Sequence, residues 1–109
     1  MVELRTVDDI VIISENDIYM AEAVNYKSII YAETKKIEVI HSIKELEAML
    51  SNHFFRTSRS FLVNVRKVIS VKPSTRKTYE LVFSHKTYRG YLSKNLYEDF
   101  RQQAKISSF

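Results

Sequence analysis

Apolar and polar residues alternate over short stretches along most of the chain. In one example, Ile37 and Val39 alternate with Lys36 and Glu38. A period of two predicts β-strands with one buried face, because successive side chains of a strand point to opposite sides. Such patterns, bounded by turn-forming residues, predict strands at residues 10–13, 18–23, 28–32, 36–40, 61–63, 65–71, 78–83 and 87–92.

Two stretches have the periodicity of a helix instead. Ser42 and Glu45 form a capping box, in which the hydroxyl and the carboxylate each satisfy a free backbone N–H group at the helix start. Ser93 is similarly placed to cap a short terminal helix. The apolar residues that would face the core are Ile43, Leu46, Met49 and Leu50 in the first helix and Leu96, Tyr97 and Phe100 in the second.

These elements predict a mostly-β fold with two short helices. Closely spaced strands of this kind are typical of a sandwich or an open barrel. A chain of 109 residues fits one domain, and no repeat, linker or low-complexity stretch divides it. We therefore treat residues 1–109 as a single domain.

The composition excludes several classes of protein. The chain has no Cys, which rules out a disulfide scaffold, a thiolate metal site and a catalytic thiol. The single Gly cannot form a glycine-rich phosphate loop. No apolar run approaches the roughly 20 residues that cross a bilayer. We expect a cytoplasmic protein with no membrane contact.

The candidate catalytic residues form no constellation. His41, His53 and His85 are far apart in the sequence and lack the spacing of metal ligands. The carboxylates cluster where turns and the first helix need solubility, and none suggests an acid–base pair. We predict no enzymatic activity, no metal, no cofactor and no small-molecule substrate.

The net charge of +4 is divided unevenly along the chain. Residues 1–52 hold 10 acidic and 5 basic side chains, whereas residues 53–109 hold 3 acidic and 12 basic ones. A basic half of this kind favours a polyanionic partner. A solvated basic face would have the same composition, so charge alone leaves both interpretations open.

The segment FFRTSRSFLVN, residues 54–64, is the most informative motif in the basic half. Its aromatic and aliphatic ends can anchor it in a core, which leaves a centre rich in arginine and hydroxyl groups free to project. Arginine pairs bidentately with guanine or phosphate, and serine donates to phosphate oxygens. The alternative is that Arg59 pairs with an acidic residue of the first half while the hydroxyls cap backbone groups.

Further motifs surround this segment in a fixed order. They are residues 18–19 (IY), the Asn25-Tyr26-Lys27 turn, residues 42–46 (SIKEL) and residues 92–96 (LSKNL). Together with FFRTSRSFLVN, this ordered set resembles the LytTR-type DNA-binding domains of bacterial transcriptional response regulators. The resemblance is strongest over residues 8–102.

The resemblance implies an elongated stack of small antiparallel sheets that binds double-stranded DNA. Its loops, rather than a helix, would enter successive major grooves, commonly at direct-repeat promoter sites that hold two copies in tandem. The resemblance assigns base reading to Tyr26, Lys27, Arg59 and Lys94. It assigns phosphate or supporting contacts to Asn25, Arg56, Ser58, Ser60, Arg89, Ser93 and Asn95, with Lys86 close to Arg89 in sequence.

The chain departs from the family pattern at two of these positions. Ser58 stands where the family often has His, and Asn95 stands where a second basic residue is common. Both changes are expected to alter sequence preference more than the capacity to bind. Residues 1–6 leave no room for the receiver domain that often precedes this module. We expect a domain excised from a longer regulator rather than a stand-alone one, with a receiver domain or a second copy as further partners.

Two other functions fit parts of the sequence. The carboxylates of the acidic half suit a non-catalytic interaction or regulatory module that docks on a basic partner. Seven Tyr residues can stack on RNA bases, yet the aromatic-basic ribonucleoprotein signature is missing. Sequence-specific DNA binding by a bacterial transcriptional regulator is the function that we predict.

Overall fold

Three antiparallel sheets make up most of the computed structural model, which describes residues 1–85 and 87–107. A two-stranded sheet pairs β1 with β2, the largest sheet has the order β5-β4-β3-β7-β6, and a three-stranded sheet has the order β10-β9-β8. The strands are β1 Val2–Arg5, β2 Ile10–Ile13, β3 Ile18–Val24, β4 Lys27–Ala32, β5 Lys36–Val39, β6 Phe54–Arg56, β7 Phe61–Asn64, β8 Val68–Pro73, β9 Thr78–Phe83 and β10 Arg89–Ser93. The helices are α1 Ile43–Met49 and α2 Tyr97–Ser107.

The largest sheet lies in the middle of the stack because both of its faces are covered. On one face, Ile18, Ala21 and Leu62 belong to a core shared with β1, β2 and α1. On the other face, Tyr19 and Val63 belong to a second core shared with the three-stranded sheet and α2. The molecule measures 40 × 31 × 26 Å along its principal axes. The predicted mostly-β stack of small antiparallel sheets with two helices is therefore confirmed.

The predicted capping box of α1 is present. The Ser42 hydroxyl accepts a hydrogen bond from the N–H of Glu45, and the Glu45 carboxylate accepts one from the N–H of Ser42, each at 3.1 Å. The bond from the Ser42 backbone is the main reason why the pKa of Glu45 is lowered. The prediction that Met49 faces the core is wrong, because its side chain is 38% exposed, whereas Ile43, Leu46 and Leu50 are buried as predicted.

Several strand boundaries differ from the sequence prediction. Val65–Lys67 is a turn of 3₁₀ helix rather than the start of a strand, because the Asn64 side chain accepts a hydrogen bond from the Arg66 N–H at 3.1 Å. The following strand, β8, includes Pro73 and is an edge strand, where the missing N–H group costs no ladder bond. Strands β1 and β6 were not predicted.

Candidate nucleic-acid interface

Most of the residues predicted to bind DNA fall into three groups along the chain, and each group is one predicted contact. The first contact, Asn25-Tyr26-Lys27, lies at the tip of the β3–β4 hairpin. Val24 pairs with Lys27, so that Asn25 and Tyr26 form a two-residue turn. Asn25 has a φ of 59°, a left-handed conformation that asparagine tolerates better than most side chains. The turn leaves Tyr26 93% exposed, and the Lys27 ammonium lies 3.7 Å from the Glu38 carboxylate. The tip therefore presents an aromatic ring beside a weakly paired cation.

The second predicted contact is the turn between β6 and β7, residues 57–60, which is called the central turn below. The N–H of Thr57 donates to the carbonyl of Phe61 at 3.1 Å, which closes the turn. Within it, the Ser58 hydroxyl accepts a hydrogen bond from the N–H of Ser60 at 3.2 Å. The Ser58 hydroxyl thus shapes the backbone of the turn, while Arg59 and Ser60 are exposed at its surface.

The Arg56 side chain supports this turn through hydrogen bonds to its backbone. Its Nε donates to the carbonyl of Ser58 at 3.1 Å, and its Nη2 donates to the carbonyl of Arg59 at 2.8 Å. Its Nη1 lies 3.5 Å from the Glu47 carboxylate of α1. The ion pair with the acidic half is thus made by Arg56, whereas Arg59 makes none within residues 1–85 and 87–107. The planar guanidinium fixes the backbone that carries Arg59.

The third predicted contact is the junction between β10 and α2. The Lys94 ammonium lies 5.2 Å from the centre of the Tyr79 ring, a cation–π contact, and Asn95 is exposed next to it. The Ser93 hydroxyl makes no capping hydrogen bond with the described residues, so the predicted cap is wrong. The physical reason is that α2 starts only at Tyr97, after a turn of 3₁₀ helix at Lys94–Leu96, so that Ser93 does not directly precede α2.

Backbone hydrogen bonds link the central turn to β3 on one side and to the end of β10 on the other. The carbonyl of Ser60 accepts a hydrogen bond from the N–H of Ala23 at 2.8 Å, two residues before the hairpin turn at Asn25. The carbonyl of Thr57 accepts one from the N–H of Ser93 at 3.3 Å. The three predicted contacts are therefore neighbours, with residues 57–60 in the middle. A shallow depression joins the central and third contacts, lined by Arg56, Ser58, Arg59, Ser93, Asn95 and Leu96.

The remaining predicted residue lies apart from the third contact. Arg89 starts β10, at the opposite end of the strand from Ser93, and its Nη1 donates to the carbonyl of Tyr88 at 2.7 Å. At about 3.3 Å per residue, four residues separate the two ends of β10 by roughly 13 Å. Lys86 lies outside the described residues.

Sequence reasoning missed a basic loop beside the third contact. The β8–β9 loop carries exposed Arg76 and Lys77, and Lys72 is exposed near the end of β8. The carbonyl of Lys77 accepts a hydrogen bond from the N–H of Lys94 at 2.9 Å. The density of cations in this hairpin loop was visible in the sequence, but its proximity to residue 94 depends on the pairing of β9 with β10.

Comparison with known proteins identifies the family. A sequence model described as the LytTr DNA-binding domain matches residues 8–105. The chain belongs to the LytTR family. This is a family of DNA-binding domains of transcriptional regulators and is not a catalytic family, so the prediction that the chain is not an enzyme is confirmed.

Individual LytTR relatives agree with this assignment. The transcriptional regulatory protein YpdB of Escherichia coli K12 is 32% identical over 94 residues, which cover 85% of this chain and 38% of YpdB. YpdB of Shigella flexneri has the same identity and coverage. A solved LytTr DNA-binding domain of a Bacillus cereus protein, described as a methyl-accepting/DNA response regulator, is 28% identical with a TM-score of 0.78 and covers 94% of both chains. The chain thus spans just over a third of the curated relatives that it matches.

The described part of this LytTR domain has no candidate metal site and no candidate membrane span. Within the described ranges, no group of three or more His, Asp or Glu side chains is arranged to hold a metal ion. No helix in the part of the chain that the structure describes is long and apolar enough to cross a membrane. Burial first, and a hydrogen bond to Glu22 second, raise the pKa of Tyr31 to about 12.

Proposed function

We propose that this LytTR domain binds double-stranded DNA in a sequence-specific way and reads the bases with loops held on a β scaffold. The observation that carries the proposal is the central turn. Arg59 is exposed there and makes no ion pair with the described residues, while the backbone on which it stands is fixed by Arg56. An exposed arginine on a fixed backbone is well placed for a bidentate contact with guanine, because only its side chain must be ordered on binding.

The proposal divides the residues into two groups. Base edges would be read by side chains at the exposed surfaces of the three contacts, and the supporting residues would bind phosphates or hold the loops in shape. The base-reading group is Tyr26, Lys27, Arg59 and Lys94. The supporting group is Asn25, Arg56, Ser58, Ser60, Arg89, Ser93 and Asn95.

The existing partners of two proposed readers are weak enough to be exchanged for DNA. Lys27 has a solvent-exposed ion pair with Glu38, and such pairs contribute about 0.2–1 kcal/mol. Lys94 lies on the ring of Tyr79, and a partly exposed cation–π contact of this kind contributes about 0.5–1 kcal/mol. Charge-assisted contacts with phosphate or a base can replace both at little cost.

Neither helix suits the major groove as a recognition helix. The exposed side of α1 carries Glu45 and Glu47, which would be repelled by phosphates. The first turn of α2 contains Glu98 and Asp99, and these acidic side chains offset the attraction of the helix N-terminus for an anion. The acidic side chains of both helices therefore support readout by loops over readout by a helix.

The proposal extends to the setting of the domain. Two copies would bind in tandem at a direct repeat in a promoter, in the cytoplasm of a bacterium where the chromosome is accessible. A receiver domain in the same regulator would supply the signal. The curated relatives, of which this chain covers 38%, are long enough to hold such a domain.

The test combines a binding selection on random duplex DNA with variants of the proposed reader. We expect the selection to enrich a half-site that recurs as a direct repeat. Arg59→Ala should then weaken binding to the selected duplex by about 1–3 kcal/mol and relax the preference at one or two base pairs. Arg5→Ala is the matched control, since Arg5 is also an exposed arginine but lies on the two-stranded sheet.

The outcomes separate the reader from the function. No enrichment in the selection would contradict sequence-specific binding. Enrichment together with equal affinities of the Arg59→Ala variant and the unmodified chain would contradict only the assignment of Arg59. If single-stranded RNA displaces the selected duplex efficiently, the natural ligand is RNA rather than duplex DNA.

One observation favours the interaction module as a second candidate function. Ile10 and Ile12 on β2 are 61% and 62% exposed, and carboxylates of the acidic half lie near them in the sequence at Asp8 and Asp9. Exposed apolar residues rimmed by charge are common at protein interfaces. This function predicts binding to a basic protein that survives the loss of Arg59 and is lost in Ile10→Ser.

A further inference from the structure

The β8–β9 loop brings two cations next to the third contact. Arg76 and Lys77 are exposed at its tip, and no acidic residue occurs in residues 72–79. The N–H of Lys94 donates to the carbonyl of Lys77 at 2.9 Å, so the loop and the junction before α2 are in direct contact. A duplex that reaches Lys94 therefore passes close to this loop.

The loop has a defined shape. The carbonyl of Thr78 accepts hydrogen bonds from the N–H groups of Ser74 and Thr75, both at 3.1 Å. The Thr75 hydroxyl accepts from the N–H groups of Lys77 and Thr78 at 3.2 and 3.1 Å. This closed ring of hydrogen bonds holds the backbone that carries the two cations, which reduces the entropy lost when they bind a ligand.

The charges of the two cations are not compensated locally. Lys72, at the base of the loop, stands opposite Glu80 in the pairing of β8 with β9. Arg76 and Lys77 have no such neighbour, and neither makes an ion pair within residues 1–85 and 87–107. Exposed cations of this kind attract the phosphates of DNA and release condensed counterions when they bind.

We propose that Arg76 and Lys77 bind the phosphodiester backbone of the duplex, beside the base-reading contact at Lys94. This inference rests on the proposed function and adds a contact outside the residues assigned there. A phosphate contact positions the protein but carries no direct sequence information. The β8–β9 loop thus contributes affinity for any duplex, and Lys94 contributes specificity next to it.

The test is the salt dependence of binding by the double variant Arg76→Gln/Lys77→Gln. The probes are the duplex recovered by selection and a mixed-sequence duplex of the same length. The slope of log affinity against log salt should become shallower by about 2, since each lost phosphate contact removes about 0.9. Both affinities should fall by a common factor, so that their ratio is unchanged.

Two further variants complete the design. Lys35→Gln/Lys44→Gln removes the same charge from exposed positions in the acidic half and should leave the slope close to its original value. Arg76→Lys/Lys77→Arg keeps both charges and should retain the slope.

Each outcome decides the proposal separately from the proposed function. If the unmodified chain binds in a salt-dependent way and the Gln double variant keeps the same slope, the phosphate site is refuted and loop readout stands. An equal change of slope in the acidic-half control also refutes it, because net charge would then explain the effect. If the unmodified chain has no salt-dependent affinity for either duplex, the proposed function itself is wrong.

Discussion

The role of Arg56 as a support for the central turn leads to a prediction about Arg56→Lys. This substitution keeps the positive charge but removes the planar fork that donates to the carbonyls of Ser58 and Arg59. An ammonium can reach one of these carbonyls at a time. We therefore expect a loosened turn, and with it a less well-placed Arg59, without any change in net charge.

The expected magnitude follows from the bonds that are lost. A hydrogen bond from a charged donor contributes about 1.5–3 kcal/mol when it is well buried. The Arg56 side chain is 35% exposed, so solvent screening lowers this value, and lysine can re-form one of the two bonds. We expect a total loss of about 1–2 kcal/mol, which corresponds to roughly 5- to 30-fold if all of it is seen in DNA affinity.

Two measurements divide this loss between folding and binding. Equilibrium urea unfolding, followed by circular dichroism, gives the part that destabilises the free protein. Binding to the selected and mixed-sequence duplexes gives the rest, and we expect a larger loss for the selected duplex because Arg59 would read its bases. Glu47→Gln is the control, since it removes the exposed ion pair at 3.5 Å but leaves both bonds to the turn and should cost less than about 1 kcal/mol.

Two results would refute this reasoning. Equal stability and equal DNA affinity in Arg56→Lys and the unmodified chain would mean that the two bonds do not hold the turn. Alternatively, Arg56→Ala could weaken both duplexes evenly and lower the salt slope by about 1 while Arg56→Lys has no effect. Arg56 would then be a direct phosphate contact rather than a support.

Three further predictions concern stability. Thr57→Val should leave the melting temperature unchanged or raise it, because Thr57 is fully buried and its hydroxyl has no hydrogen-bond partner among the described residues. A clear fall of the melting temperature in Thr57→Val would contradict this. Burial, and then a hydrogen bond to a glutamate, raise the pKa of Tyr31 from 10.0 to about 12. As the pH rises from 10 to 12, the Tyr31 phenol therefore loses its proton in the unfolded chain before it does so in the folded one, and the stability of the fold decreases. Urea titrations at alkaline pH should show a smaller fall in Tyr31→Phe than in the control Tyr26→Phe, whose ring is 93% exposed, and equal falls would count against the assignment. Gly90→Ala should cost about 1–3 kcal/mol in urea unfolding, because the new Cβ would lie 3.2 Å from the buried Phe83 ring, and a cost close to zero would show that the ring moves aside easily.

The sequence was sufficient to predict elements that are determined locally. The capping box at Ser42 depends on residues three apart, and the alternation in β5 depends on a period of two, so both could be read from neighbouring letters. The turn at Asn25-Tyr26 was expected from the resemblance to LytTR-type domains rather than from the pattern of its neighbours. The structure places these features where the sequence predicts them.

What could not be predicted depends on contacts between distant parts of the chain. Strand β6 exists because Phe54–Arg56 pairs with β7, a contact that the sequence of the three residues does not itself indicate. All four residues from Ile18 to Ala21 are buried because a register shift near Ile18 interrupts β3 and because a sheet covers each face. The partner of Arg56 on α1 was equally invisible, since nothing in the sequence indicates which glutamate faces the central turn.

The uneven distribution of charge acquires a structural meaning from these contacts. Two carboxylates of the acidic half compensate cations at the proposed interface, Glu38 beside Lys27 and Glu47 beside Arg56. Arg59 and the two cations of the β8–β9 loop make no ion pair with the described residues. The acidic half therefore supplies one ion pair to Arg56, which shapes the central turn, and one to Lys27, which is proposed to read bases. The uncompensated cations stand on turns whose backbones are already fixed by hydrogen bonds, which is the arrangement that costs least when a polyanion binds.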